Sequence, residues 1–206
     1  MAEGGLVAMN SAFEAIGPRD VASLVDAMPL CWIVPVSDPA SCMLMPVVIE
    51  RDGEGEPVSF LGHLPRRAPT TATLNADGRA LFLVLGPNRY MSPAMVGRDD
   101  WGPTWNFASA RITARTVFDE GMTRPAIEAL TRHMEGPDGW TTDGLASRID
   151  DLLARVIGYR ATIDRMEPRF KLGQDEAPED FAAMLGAMGD HPLTDWMHRY
   201  WPKSAG

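Results

Sequence analysis

The sequence predicts a mainly β chain with helices at its periphery, an α+β domain built on a β-barrel core. Three observations predict it. Short apolar runs in the first 118 residues are separated by Gly- and Pro-bearing clusters, the strand-and-turn texture of a barrel or sandwich. From Thr123 the spacing becomes helical. Tyr159, Ala161 and Ile163 then alternate, so a late strand returns to the sheet. At 206 residues, 45% hydrophobic and 23% charged, the chain can bury a core without staples, and one domain over 1–206 is expected.

Each element has a local reason. Pro18 to Ala27 reads as a helix, because Pro18 suits a first turn and Val21, Leu24 and Val25 share a face. Leu30–Val36 and Met43–Ile49 read as strands joined at Asp38-Pro39. A hairpin about that turn does not place Cys31 opposite Cys42. Val58–Leu61, Ala80–Leu85 and Thr104–Val117 are further strands, and Thr70–Leu74 is one helical turn or two. Peripheral helical segments cover 123–157 and 178–200. Within them Pro125–Met134, Leu145–Ile157, Pro178–Met188 and Leu193–Tyr200 have helical spacing.

Charge narrows the function classes. The net charge is -9, and 17 of the 19 basic residues are arginine. That balance argues against coating nucleic acid or docking on anionic membrane. It is unevenly spread: residues 57–118 carry +4, while both flanks are acidic. No apolar run reaches about 18 residues, and the start carries no basic leader. Cys31 and Cys42 make no disulfide scaffold and read as small core hydrophobes, so a cytoplasmic location is expected. There is no G-x-G-x-x-G, Walker loop, nucleophile elbow, zinc spacing or recognition helix.

The chemistry concentrates between Val58 and Val117. Gly62-His63-Leu64-Pro65-Arg66-Arg67 closes an apolar strand with guanidinium forks suited to phosphate oxygens. Tyr90 and Ser92 alternate in Tyr90-Met91-Ser92-Pro93, after the Gly86-Pro87 turn. In Pro103-Thr104-Trp105-Asn106-Phe107, a polar face (Thr104, Asn106) lies beside an aromatic one (Trp105, Phe107). Singly, each piece also reads as solvated loop, turn or core. Together they describe a pocket for an anionic, aromatic small molecule.

These pieces, with Pro29-Leu30, Ala80-Leu81-Phe82 and Lys171-Leu172-Gly173-Gln174, make the chain resemble the PaiB-type FMN-binding negative transcriptional regulators. That family belongs to the pyridoxamine-phosphate-oxidase-like split β-barrels. The resemblance spans about residues 29–174. It implies a Greek-key split barrel, dimeric, with FMN at the subunit interface. It implies flavin-binding roles for His63, Arg66, Arg67, Tyr90, Ser92, Thr104, Trp105, Asn106, Lys171 and Gln174, and no metal. It also implies a regulatory role, although the acidity and the lack of a recognition helix speak against direct DNA contact. Alternatives on the same fold are an FMN-dependent oxidoreductase, with His63 or Tyr90 as candidate catalytic groups, and a protein for haem or another phosphorylated ligand. The sequence departs from the family pattern at Leu44, Ala68, Arg111 and Asp175.

Overall fold

The computed structural model describes residues 16–201. Its elements are α1 (Pro18–Ala27), β1 (Leu30–Pro35), β2 (Met43–Arg51), β3 (Pro57–Pro65), α2 (Pro69–Ala76), β4 (Arg79–Met91), α3 (Pro93–Val96), β5 (Thr104–Phe118), α4 (Thr123–Glu135), α5 (Arg148–Leu153), β6 (Val156–Lys171), α6 (Pro178–Met188) and α7 (Leu193–Tyr200). The strands close a barrel in the order β1-β2-β3-β6-β5-β4. Strand β4 lies beside β1, so β4-β1-β2-β3 is a Greek key. Registers run antiparallel: Trp32 faces Leu44 on one side and Leu83 on the other, and His63 faces Gly158.

The chain divides into two compact units. The larger holds Pro18–Leu85 and Ser109–Pro168. Period-two alternation sends Ile33, Val47, Ile49, Phe60, Phe82, Ile112 and Tyr159 inward, where they are buried. Phe60 and Phe82 meet with ring centroids 4.8 Å apart. Helix α1 buries Val21, Ala22, Leu24 and Val25, the face its spacing predicts. Its ion pairs take their cation from arginine: Arg19 with Glu56, Arg51 with Asp26, Arg160 with Glu50, Arg111 with Glu167.

The smaller unit holds Gly86–Ala108 and the described residues from Arg169 onward, with Ile16 and Gly17. Phe170, Leu172, Met184, Leu193 and Met197 form its core. Two polar clasps tie α6 and its approach to the α3 loop. Arg98 pairs with the buried carboxylate of Asp180 at 3.0 Å, and the Trp101 indole donates to Glu176 at 3.1 Å.

Several expectations hold closely. Helices α1, α6 and α7 start and stop where the sequence places them. Cys31 faces Met45 rather than Cys42, and both thiols are free. Four readings change. The strand expected over Ala80–Leu85 runs on through Gly86 and Pro87 to Met91 as β4, so no turn stands there. Cys42 is exposed, so it is no core residue. The helix expected over Leu145–Ile157 shrinks to α5, because Val156 pairs with Pro65 and already belongs to β6. Strand β3 continues past Leu61 to Pro65, since β6 supplies partners for Gly62, His63 and Leu64. No described helix is long and apolar enough to cross a membrane.

Candidate functional site

The larger unit carries His63, Arg66 and Arg67. Gly62 suits a crowded place on its strand: a Cβ there would lie 2.5 Å from the Tyr159 hydroxyl and 2.6 Å from its Cζ, so the ring would have to shift. His63 follows, half-buried, with Nδ1 shielded and without a hydrogen-bond partner. Burial holds its pKa below the ordinary imidazole value, which keeps the ring neutral near pH 7. A neutral ring with an unpartnered nitrogen is ready to accept or donate one hydrogen bond.

Arg66 follows the last residue of β3, and its amide donates to Arg155 O at 3.0 Å. Its guanidinium is engaged on three sides. Nε donates to Ala154 O at 3.1 Å, Nη2 to Glu120 Oε2 at 2.6 Å, and Nη1 to Glu120 Oε1. That is a bidentate fork, the geometry in which arginine holds a carboxylate or a phosphate. The pair holds the Glu120 carboxyl below the usual carboxylate range. Arg67 differs: it is exposed and makes no ion pair with a described residue. Glu120 was not foreseen from sequence.

The smaller unit carries the other seven. The Tyr90 and Trp105 rings lie 5.9 Å apart and tilted by 60°, each about half exposed. Trp105 Nε1 donates to Asn88 Oδ1 at 3.1 Å, and Asn88 Nδ2 donates to Gly86 O at 3.1 Å, so the indole is held in place. Asn88, carried on β4, is a second residue sequence reasoning missed, although it belongs to the Gly86–Pro93 stretch that the reading singled out. Thr104 Oγ1 accepts from Lys171 Nζ. Asn106 is fully buried, its Oδ1 has no partner, and its amide reaches only the Met197 sulfur at 3.9 Å. The strand therefore inverts the ordinary pattern: the aromatic Trp105 faces outward and the polar Asn106 inward. Ser92 is half-buried and stands just before α3. Gln174 is buried and bridges its own turn, accepting from Leu172 N at 2.6 Å and donating to Phe170 O at 2.9 Å.

The structure thus places Tyr90, Ser92, Thr104, Trp105, Asn106, Lys171 and Gln174 in one unit, and His63, Arg66 and Arg67 in the other. Arg111, one of the departures from the family pattern, is exposed on β5 and pairs with Glu167 at 2.8 Å.

A closed Greek-key barrel with helices around it is the split-barrel fold. The chain belongs to the family described as "Putative FMN-binding domain", whose model matches residues 8–165. The matched stretch holds eight of the ten candidate residues and ends before Lys171 and Gln174. Solved structures share the fold. The FAD and haem binding protein from Mycobacterium smegmatis is 19% identical with a TM-score of 0.58, covering 81% of this chain and 78% of its own. A conserved hypothetical protein from Mycobacterium tuberculosis is 10% identical with a TM-score of 0.54, covering 79% of this chain and 89% of its own. No curated protein matches the chain in sequence.

Proposed function

We propose that the chain is an FMN-binding protein of PaiB-like type that works as a homodimer. The observation that carries the flavin reading is the end of β3. There a buried, unpartnered His63 nitrogen stands three residues before Arg66 and four before an exposed Arg67 that has no ion pair among the described residues. Those groups fit a phosphorylated ligand, since an orphaned buried nitrogen is costly unless something meets it. Within the smaller unit, Tyr90 and Trp105 offer exposed aromatic surface, with Lys171 and Thr104 as polar groups. A bound flavin supplies redox chemistry of its own. The residues named here bind and orient it.

The dimer reading rests on an apolar stripe on the outside of the barrel. Leu44, Trp32 and Leu83 are in register across β2, β1 and β4, and all three are exposed. Leu30 and Leu85 extend it, two residues along their strands, and are exposed too. Contiguous apolar surface of this kind marks an interface. A second copy suits it, because the stripe carries no charge for a charged partner to read. Trp32→Glu should convert a dimer to monomer in sedimentation analysis; an unchanged mass would refute this placement.

The regulatory role follows from the resemblance and is read here as indirect, through the ligand state. A net charge of -9 disfavours phosphate contact. A mobility shift against its own promoter at moderate salt would overturn the indirect route.

The primary test is the absorption spectrum of protein purified without added flavin, followed by FMN titration. Micromolar retention corresponds to about -8 kcal/mol. Flavin bands or saturable FMN binding are expected. A haem spectrum, or no binding at all, would overturn the proposal.

A further inference from the structure

The Arg66 fork is already filled. Glu120 accepts from both of its terminal nitrogens along the bidentate edge, and Ala154 O accepts from Nε. The geometry is the one a phosphate would use, two parallel N–H···O contacts on one planar group. Glu120 opens the short turn Glu120–Met122, whose start is fixed by Asp119 accepting from Gly121 N at 2.7 Å. The two side chains differ in freedom: Arg66 is 30% exposed, Glu120 68%. Arg66 is braced by β3 and by two carbonyl-bearing neighbours on the β6 approach, whereas Glu120 is held by Arg66 alone among the contacts described. Glu120 is therefore the partner that can leave.

We propose that Glu120 is an affinity- and specificity-setting residue that occupies the phosphate fork of Arg66 and must be displaced by a phosphorylated ligand. The inference rests on the flavin reading above. A phosphate that arrives exchanges one anion for another on Arg66, so the net gain from that arginine is reduced. It also meets the displaced carboxylate nearby. Arg67, four residues past His63 and exposed, with no ion pair to a described residue, supplies the initial attraction. Glu120 thus lowers the advantage of FMN over riboflavin, which lacks the phosphate.

The test compares the full chain with Glu120→Gln, Arg66→Ala and Arg67→Ala, each titrated with FMN and with riboflavin. Thermal melting of each variant checks folding. Exposed ion pairs contribute little, so removing the competitor should tighten FMN by roughly two- to fivefold and leave riboflavin unchanged. Arg66→Ala and Arg67→Ala should each weaken FMN more than riboflavin. If Glu120→Gln leaves FMN unchanged or weaker, the proposal is overturned and Arg66–Glu120 is a structural clasp. If neither the native chain nor any variant binds FMN, the flavin reading falls, and this inference with it. A Glu120→Gln that melts early is replaced by Glu120→Ala, judged by the same FMN-to-riboflavin ratio.

Discussion

The contact between Gly62 and Tyr159 is the sharpest test of the packing that positions His63. Tyr159 is fully buried, and its hydroxyl has no hydrogen-bond partner. A buried hydroxyl left unpaired costs about 1–3 kcal/mol relative to its hydrated state. Tyr159→Phe removes that hydroxyl and keeps the edge-on contact with Phe118, whose centroid lies 5.9 Å away. The variant should therefore be as stable as the native chain or more so, by up to roughly 3 kcal/mol. Gly62→Ala acts oppositely, because its methyl would sit 2.5 Å from that hydroxyl and 2.6 Å from Cζ. Overpacking of this kind costs about 1–3 kcal/mol. At this chain length that lowers the melting temperature by roughly 2–12 °C. The double variant should recover only part of the loss, since the contact with Cζ persists. Urea unfolding followed by circular dichroism measures all three. A loss above about 1 kcal/mol in Tyr159→Phe would show that the hydroxyl has a partner, and would refute the reasoning.

Three further outcomes concern the thiols, His63 and the Arg98 clasp. Burial pushes the Cys31 thiol up to about 12 and Cys42 is exposed, so a disulfide reagent should titrate one thiol in the native chain and two after unfolding. His63 has its folded pKa below 6.5, so its contribution to stability is complete above that pH and is lost as pH falls through the folded value. His63→Gln should flatten the stability curve on the acid side of pH 6.5, as read by melting temperature across buffers. Arg98→Ala strips the partner from the buried Asp180 carboxylate and should cost about 1–2 kcal/mol, with faster amide exchange in α6.

Much of the fold is legible in the sequence, for identifiable reasons. Pro18, Pro178 and the apolar spacing of α1, α6 and α7 are local signals, and those helices end where expected. Strand β3 is longer than expected because Gly62 and Pro65 look like breakers, and only pairing with β6, about a hundred residues on, overrides them. The site divides the same way. Its residue types are visible as motifs, but their partners are not. Arg66 meets a carboxylate 54 positions away, and Trp105 faces outward while Asn106 is buried, against the ordinary preference of both side chains. No local pattern carries such information.

The reliance on arginine in the ion pairs has a consequence for solvent tolerance. A guanidinium keeps its proton past pH 12, so none of these contacts is lost on the alkaline side. Their carboxylates titrate instead: Glu50, Glu120 and Glu167 are each held below the ordinary glutamate value by their arginine. Stability from such groups is present above that value and disappears as pH falls through the lowered one. Toward base the limit lies elsewhere: burial raises Cys31 and Tyr159 above their ordinary values, so the stability of their neutral forms is lost as pH climbs past those ordinary values. With Lys171 and Lys203 as its only lysines, the molecule also offers amine-directed chemistry almost nothing to react with.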